Sequence, residues 1–369
     1  MTPEKKTRPD FQVALAAAIV LRIFFSAAAA ALSLVLHPDP RIVRSNALIE
    51  SSPAGGWLYA WLGVWQRFDT LWYLRIARHG YDRNMAVIFY PLYPAAVHLT
   101  SWLMAPLAAA LFVSTVAAFF YILGLLRLAE PDLTAAGSRY ALLFLLAWPT
   151  SFILFAGYAE ALAAALIVWA VAFARSQRWW PAAACGFLAG LARPSGVLVA
   201  VPLLVLAWKA RRPAAFAVLA VPLGTLAYWA WLHWSGRPSV AAAYGLYQGT
   251  PISPPWDTLL LSARMIAHGD TLLAIKIGLV FLALVLSLQR GIGSEDKLFA
   301  VATVVQMFLY TGRPLIGGAR YALIVYPAFL GWGLAAQNWK PARIAFYASA
   351  LGLLNLAWMW AFFNWSLVL

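Results

Sequence analysis

Long apolar runs dominate the chain, and each run is separated from the next by a short polar junction. A membrane-spanning helix needs about 20 mostly apolar residues, so the pattern predicts about 11 transmembrane segments, some of them short. The predicted segments are residues 11–36, 106–127, 138–156, 159–174, 181–193, 196–209, 213–234, 271–288, 297–311, 320–336 and 342–363. The predicted fold class is therefore an all-α, polytopic integral membrane protein.

The junctions on one side of the predicted bundle are basic, and the positive-inside tendency assigns that side to the cytoplasm. The basic residues concerned are Lys5, Lys6, Arg8, Arg127, Arg139, Arg175, Arg178, Lys209, Arg211, Arg212, Arg290, Lys297, Lys340 and Arg343. The outer side then carries two long loops, residues 37–105 and 235–270, and the short junctions 156–159, 193–195 and 311–320.

Three places in the apolar pattern need a more specific interpretation. Pro194 interrupts the stretch 181–209, which indicates two half-length helices. Residues 90–103 are apolar, but the alternation of the two sides allows the chain to cross the membrane only once between residues 90 and 127. Residues 90–103 are therefore predicted to form an interfacial or re-entrant helix. Arg22 lies inside the first segment, where a charge exposed to lipid is costly, and it is predicted to face the bundle.

Composition excludes a water-soluble globular protein. The 369 residues are 63% hydrophobic and 11% charged, with a mean hydropathy of +0.76, whereas a soluble domain is about 45–50% apolar and about 25% charged. The net charge of +14 is spread between the apolar runs, so we expect membrane lipids as partners and no nucleic acid. A single cysteine, Cys185, excludes an internal disulfide. Residues 1–369 are predicted to form one membrane domain.

One polar stretch, residues 65–94, interrupts the apolar pattern. A helix over residues 67–80 would place Asp69 and Tyr73 on one face, because they are four residues apart. A carboxylate held there, at the mouth of the bundle, could take a proton from an acceptor hydroxyl as a general base. The alternative is that Asp69 only pairs with Arg67 or caps the helix.

Aromatic and basic residues surround Asp69 in this region. Trp65, Phe68 and Trp72 are expected to anchor the helix at the level of the lipid headgroups. The loop 37–105 contains six arginines and no lysine. Because the guanidinium group suits bidentate contacts with phosphate and the ammonium group does not, we interpret these outer arginines as ligand-related.

Three further charged residues lie at the predicted outer ends of segments. Glu160 is a candidate for function because an ionisable group is costly there, and the alternative is a carboxylate that complements a helix N-terminus. Arg193 and Arg320 could bind an anionic lipid-linked substrate, or they could only snorkel to the headgroups. The weaker candidates at this surface are His79, Trp256, Asp257, His268 and Arg313.

Four stretches, in chain order, carry the remaining signal: FDTLWYLRIARHGY followed by FYPLYP, then WPTSFILFAGYAEAL, GFLAGLARPSG and ARYALIVYP. Together they resemble the motifs of the phosphatidylinositol-glycan class V type mannosyltransferases (GPI mannosyltransferase II-like), in the same order and over residues 65–327. Two positions depart from that family, since Phe68 stands where it has tryptophan and Ala159 where it has serine or threonine.

The resemblance implies a GT-C type membrane glycosyltransferase with an amphipathic, helical first outer loop. It implies inverting transfer of a hexose, with mannose expected, from a polyprenyl-phosphate-linked donor to a hydroxyl acceptor (a glycan, a lipid or a protein). Asp69 would be the catalytic base. The substrate-binding residues would be Arg67, Tyr73, His79, Tyr158, Glu160, Arg193, Arg320 and Tyr321.

No cofactor is required by this expectation, because arginines would stabilise the phosphate leaving group; a divalent metal, Mg²⁺ or Mn²⁺, bound by Asp69 stays open. The compact, Ala- and Arg-rich chain indicates a bacterial relative, so the expected location is a bacterial cytoplasmic membrane with the active site facing outward. The sequence has no P-loop, HExxH or GxSxG motif that would indicate nucleotide hydrolysis or proteolysis.

Two other classes of protein fit parts of the pattern. A transporter, such as a flippase of a lipid-linked sugar or another anionic lipid, would use broken helices like those predicted at 181–209 and intramembrane charges such as Arg22 and Lys276. A non-catalytic assembly partner would share the bundle and show no sugar transfer with any carrier.

Overall fold

A computed structural model describes residues 7–50, 56–249, 251–309, 314–315 and 317–366. The α-helices are α1 (Thr7–Val35), α2 (Pro40–Ala47), α3 (Trp57–Trp61), α4 (Asp69–His79), α5 (Leu92–Thr100), α6 (Pro106–Ala129), α7 (Ala135–Ala147), α8 (Glu160–Arg175), α9 (Trp179–Ala192), α10 (Ala200–Ala210), α11 (Val221–Trp234), α12 (Val240–Ala243), α13 (Pro255–Ala267), α14 (Thr271–Ser287), α15 (Ser294–Met307), α16 (Gly318–Tyr321), α17 (Tyr326–Ala336) and α18 (Pro341–Phe363). Short 3₁₀ segments are Gly63–Trp65, Asn84–Ile88, Ser151–Phe155, Pro194–Val199, Pro213–Ala220 and Ala322–Ile324, and Tyr244–Gln248 forms a π segment.

Among the residues that the structure describes, four helical segments are long and apolar enough to cross a membrane on their own. They are Asp10–Val35, Pro106–Ala129, Pro213–Trp234 and Pro341–Phe363. Shorter apolar helices lie between them, and one of them, α10, is extended at its start by the 3₁₀ segment Pro194–Val199. The predicted all-α, polytopic membrane fold is therefore confirmed.

The predicted break near Pro194 is present. Helix α9 ends at Ala192, a 3₁₀ segment begins at Pro194, and α10 follows at Ala200. Proline has no amide hydrogen and restricts the residue before it to extended backbone, and Arg193 indeed has φ −157° and ψ 156°. The break therefore frees Arg193 from the helical repeat and directs it independently of α9.

The charge inside the first helix faces the bundle, as predicted. Arg22 Nη1 donates to the carbonyl of Phe155 at 2.6 Å, and Nη2 donates to the hydroxyl of Ser26 at 2.7 Å. Its guanidinium lies 4.5 Å from the centre of the Trp65 ring. These contacts satisfy the cation inside the protein, which avoids the cost of exposing it to lipid.

The polar stretch after α3 folds onto the bundle. Trp65 is fully buried, Trp72 is 9% exposed, and Phe68 packs against Phe362 and Trp365 with ring centres 5.5 and 5.1 Å apart. The expectation that Trp65, Phe68 and Trp72 anchor the helix among lipid headgroups is wrong, because protein side chains cover these rings.

Helix α5 corresponds to the predicted interfacial or re-entrant helix. Its nine residues extend about 14 Å, which is too short to cross a bilayer. The hydroxyl of Tyr93 donates to the carbonyl of Ala110 at 2.9 Å and so ties α5 to α6. Helix α4 packs against both α5 and α6, and these contacts hold α4 at one end of the bundle.

Candidate active site

A cavity of about 350 Å³ lies where α4, the break after α9 and helix α16 meet. Its lining residues are Asn46, Ile49, Phe68, Asp69, Trp72, Tyr73, Met85, Ile88, Phe89, Tyr90, Tyr158, Ala192, Arg193, Pro194, Tyr244, Arg320 and Tyr321. Six of the nine residues predicted from the sequence are among them: Asp69, Tyr73, Tyr158, Arg193, Arg320 and Tyr321.

Two carboxylates and two guanidinium groups form a continuous ion-paired cluster at this cavity, called here the cavity cluster. Arg320 Nη1 donates to Asp69 Oδ2 at 2.6 Å, and Arg320 Nε lies 2.9 Å from Glu160 Oε1. Arg193 Nη1 pairs with the same oxygen of Glu160. The cluster joins α4, α8, α9 and α16, and its four formal charges sum to zero.

The four members differ in their access to solvent. The side chain of Glu160 is 0% exposed, those of Arg320 and Arg193 are 8% and 10% exposed, and that of Asp69 is 27% exposed. Glu160 does not line the cavity and lies behind the two arginines. Asp69 is therefore the carboxylate that a molecule in the cavity would meet.

Backbone geometry directs Asp69 into the cavity. Phe68, directly before α4, has φ 48° and ψ −116°, a conformation that a non-glycine residue adopts only at an energetic cost. The Phe68 ring is held by Trp365, and the Asp69 amide donates to the hydroxyl of Tyr158 at 3.3 Å. Strained backbone of this kind is concentrated at functional sites.

Gly157 permits the close approach of α4 to the start of α8. A Cβ atom at this position would lie 2.6 Å from Cγ2 of Thr70, and Thr70 is fully buried. A larger residue at position 157 would therefore separate Asp69 from Tyr158 and Glu160.

The tyrosines of the cavity supply a hydroxyl and aromatic faces. Burial raises the pKa of Tyr73 well above its usual range, so the phenol stays neutral, and within the described residues its hydroxyl has no hydrogen-bond partner. The Arg320 guanidinium lies 5.1 Å from the Tyr158 ring and 5.0 Å from the Tyr321 ring. Tyr73 thus presents to the cavity a neutral hydroxyl that can donate a hydrogen bond.

Two predicted substrate-binding residues lie away from the cavity. Arg67 is 2% exposed and donates to the carbonyl of Phe363 at 3.3 Å and to the hydroxyl of Tyr59 at 2.8 Å. His79 is exposed at the last position of α4. Neither side chain lines the cavity.

Three arginines on and after α4 contact the chain around residues 48–50. Arg75 pairs with Asp82 and donates to the carbonyl of Ile49, Arg78 pairs with Glu50, and Arg83 donates to the carbonyl of Leu48. None of the three lines the cavity. Their interpretation as ligand-related residues is corrected, because they lie away from the cavity and contact Asp82 and residues 48–50 instead.

The weaker candidates add nothing to the cavity. Trp256, Asp257 and His268 are exposed on or next to α13 and do not line it. Arg313 lies outside the described residues.

Several lining residues were not predicted as binding residues. Trp72 and Phe89 stack with ring centres 5.7 Å apart and an interplanar angle of 14°. Asn46, near the end of α2, and Ile49, just after α2, also line the cavity. The aromatic content of residues 65–94 was a usable signal for Trp72 and Phe89. No local signal marks Asn46, because its position depends on the contacts of residues 48–50 with the α4 region.

The acidic groups of the site do not form a metal-binding set. Among the described residues, no group of three or more His, Cys, Asp or Glu side chains is placed to hold an ion. Glu160 faces two guanidinium groups, and Asp69 faces one of them.

The fold of this chain is similar to that of ArnT from Cupriavidus metallidurans, a GT-C glycosyltransferase. The structure of ArnT bound to undecaprenyl phosphate aligns with a TM-score of 0.50 and 13% sequence identity, over 89% of this chain and 76% of ArnT. The chain has the GT-C fold. The apo structure of ArnT aligns with a TM-score of 0.47 and 15% identity, over 80% of this chain and 70% of ArnT. No protein-family model and no curated protein sequence matches the chain.

Proposed function

We propose that this protein is an inverting glycosyltransferase that moves a hexose, with mannose as the first sugar to test, from a polyprenyl-phosphate-linked donor to a hydroxyl acceptor. The single observation that carries the proposal is the cavity cluster. It places a partly exposed carboxylate, Asp69, beside two buried guanidinium groups at one cavity. The GT-C fold, shared with a protein whose structure holds undecaprenyl phosphate, supports the donor class.

Arg193 and Arg320 would bind the donor phosphate. Both line the cavity, and the buried Nε of Arg193 has no hydrogen-bond partner within the described part of the chain. A buried donor without a partner is costly, and guanidinium groups match the geometry of phosphate oxygens. A phosphate at this position would satisfy Arg193 and place the sugar toward Asp69.

A second cavity would hold the first part of the isoprenoid tail. It has a volume of about 470 Å³ and shares Tyr90 and Pro194 with the first. Its other lining residues include the apolar Val197, Trp229 and Leu232. An apolar chain attached to a phosphate on Arg193 could therefore continue past Pro194 without crossing the charged cluster.

The proposed reaction is one displacement at the anomeric carbon. Asp69 takes the proton of the acceptor hydroxyl while the acceptor oxygen forms its bond to that carbon. The bond between the carbon and the phosphate oxygen breaks, and the phosphate leaves with the electron pair, its charge stabilised by Arg193 and Arg320. The hydroxyl of Tyr73 would donate a hydrogen bond to the sugar. No step is assigned to a metal.

The positive-inside tendency of the basic junctions supports a reaction on the outer face of the membrane, and the compact, Ala- and Arg-rich chain supports a bacterial cytoplasmic membrane. The acceptor can be a glycan, a lipid or a protein hydroxyl. The resemblance of residues 65–327 to phosphatidylinositol-glycan class V type enzymes is the reason for testing mannose first.

The decisive experiment is sugar transfer by the purified protein in nanodiscs, with radiolabelled polyprenyl-phosphate mannose and a membrane extract as the source of acceptors. Labelled product is expected from the wild type, and Asp69→Asn should reduce the rate about 10²–10⁴-fold, the usual contribution of a general base. Asp82→Asn is the matched control, because Asp82 pairs with Arg75 outside the cavity.

Two outcomes would contradict the proposal. Full transfer by Asp69→Asn would remove Asp69 from the reaction. Movement of the intact lipid-linked sugar across the bilayer, with no sugar transfer by the wild type or the variants, would indicate a transporter, the alternative that the sequence analysis left open.

A further inference from the structure

We infer that donor binding frees the catalytic base of the protein. The donor phosphate displaces Asp69 from Arg320, and Asp69 can accept a proton only after this displacement. The inference rests on the proposed function and specifies how the same site is controlled. It makes Glu160 the fixed counter-ion of the cluster and Asp69 the exchangeable one.

The charge balance of the cavity cluster is the first argument. Asp69 and Glu160 neutralise Arg193 and Arg320 completely before any substrate is bound. A donor phosphate would add a third negative charge to two positive charges in a buried site, where like charges repel strongly because water screens them little. One carboxylate must therefore give up its guanidinium contact when the phosphate binds.

Burial determines which carboxylate moves. Glu160 is 0% exposed, and both of its oxygens are sealed from solvent, so an unpaired Glu160 would be a buried charge without a counter-ion. Asp69 is 27% exposed and lines the cavity. It can leave Arg320 and remain solvated, so Asp69 is the member that the phosphate replaces.

The geometry of Arg320 keeps the exchange local. Its Nε edge faces Glu160, its Nη2 donates to the hydroxyl of Tyr321 at 3.2 Å, and its Nη1 donates to Asp69. Glu160 and Tyr321 hold the guanidinium in place while the partner of Nη1 changes. Glu160 is thus a positioning residue, which acts on the donor through Arg193 and Arg320.

Displacement changes the chemistry of Asp69. In the ion pair, Asp69 Oδ2 accepts a hydrogen bond from Arg320 Nη1 at 2.6 Å, so this oxygen is directed at the guanidinium and not at an acceptor hydroxyl. Once the phosphate takes Nη1, the freed carboxylate can accept the proton of the acceptor hydroxyl. When the product polyprenyl phosphate leaves, Asp69 passes the proton to water and pairs again with Arg320 Nη1, which restores the cluster.

The test is the affinity for undecaprenyl phosphate, measured by thermal shift and by titration in phosphatidylcholine nanodiscs. If Asp69 competes with phosphate for Arg320, the neutral variants Asp69→Asn and Asp69→Ser should bind the lipid phosphate about 5- to 150-fold more tightly than the wild type, the usual range of coupling between two ligands. The same variants should lose sugar transfer. Two neutral variants are used so that one can replace the other if it fails to fold.

Two controls separate competition from other effects. Asp69→Glu keeps the competing charge and should bind undecaprenyl phosphate like the wild type, and Asp82→Asn removes an acid outside the cavity and should do the same. Equal or weaker binding by the neutral variants would overturn the inference and leave the proposed function intact, provided that the wild type transfers sugar. Absence of binding by every protein would refute the donor class and the inference together.

Discussion

Helix α8 carries a charged cluster at each end, and the two clusters differ in what surrounds them. Its first residue, Glu160, belongs to the cavity cluster. Its last residue, Arg175, pairs with Asp296 and Glu295, about 22 Å away along the helix. Buried ion pairs are present at both ends, so their presence alone does not identify a functional site.

The cluster at the C-terminal end of α8 is satisfied by protein alone. Asp296 is 1% exposed and accepts hydrogen bonds from Arg175 and, at 2.5 Å, from the hydroxyl of Tyr326. Glu295 accepts from Lys209 at 2.7 Å. We call these five residues the C-terminal cluster, and we interpret it as a structural link between α8, α10, α15 and α17.

The cavity cluster has features that the C-terminal cluster lacks. Asp69 is partly exposed to a cavity, the Tyr73 hydroxyl is free within the described residues, and strained backbone at Phe68 sets the position of Asp69. A structural link needs none of these. The comparison therefore assigns chemistry to one end of α8 and stability to the other.

The largest effect is expected when an arginine of the cavity cluster and an arginine of the C-terminal cluster are each replaced. Arg320→Gln should lower sugar transfer about 10²–10³-fold, because it removes a donor aimed at the leaving phosphate. Arg175→Gln should leave transfer by the folded protein nearly unchanged but cost about 3–5 kcal/mol of stability, since it leaves Asp296 buried without a cation. Transfer rate per folded molecule and thermal unfolding are the two measurements. Equal loss of transfer in both variants would show that the clusters are not independent.

A second comparison uses two glycines at close helix contacts. Gly157→Ala places a methyl group against Thr70 and should reduce transfer about 10- to 100-fold, because small displacements of reacting groups are costly. At Gly331, a Cβ atom would lie 2.0 Å from the carbonyl oxygen of Leu286, so Gly331→Ala should mainly lower the unfolding temperature. An unchanged transfer rate in a folded Gly157→Ala protein would show that the close contact between α4 and the start of α8 is not needed for transfer.

Two tyrosine hydroxyls should give opposite results. Tyr73→Phe removes the free hydroxyl of the cavity and should lower transfer about tenfold, with little change in stability. Tyr326→Phe removes the hydrogen bond to Asp296 and should cost about 1.5–3 kcal/mol of stability, as for a bond to a charged group, while transfer is retained. Transfer rate and melting temperature are measured for both variants. Loss of transfer in Tyr326→Phe and loss of stability in Tyr73→Phe would reverse the roles assigned to the two ends of α8.

The smallest effect is expected at a surface pair that belongs to neither cluster. The hydrogen bond from Arg75 lowers the pKa of Asp82, so the pair stabilises the folded state above the unfolded pKa of about 3.9. That contribution disappears as the pH falls through the lower, folded pKa. Asp82→Asn should cost less than about 1 kcal/mol at neutral pH, and the difference from wild type should vanish in acid. A larger loss in urea titrations would mean that the pair does more than hold the loop.

Several elements of the site followed from local pattern. The four-residue spacing of Asp69 and Tyr73 predicted a shared face, and both line the cavity. Pro194 predicted the break that frees Arg193. These predictions succeeded because helical period and the effect of proline act over a few residues.

Other residues could not be placed from local pattern. Arg67 lies two positions before Asp69, yet it donates to a carbonyl 296 positions further along the chain. Glu160 was expected to contact substrate, but the structure encloses it behind two arginines. The C-terminal cluster was not predicted at all, because Arg175 and Asp296 are 121 positions apart.

By itself the sequence determined that lipid surrounds this protein, that the protein is helical and that it contains few acidic residues. These properties follow from the composition and from the period of the apolar residues. Only the tertiary structure decided which charges meet. In a chain this apolar, a buried charge must find a partner wherever packing brings one, and that partner is set by contacts between distant helices. The pairing of Asp69 with Arg320, 251 positions apart, is a product of those contacts.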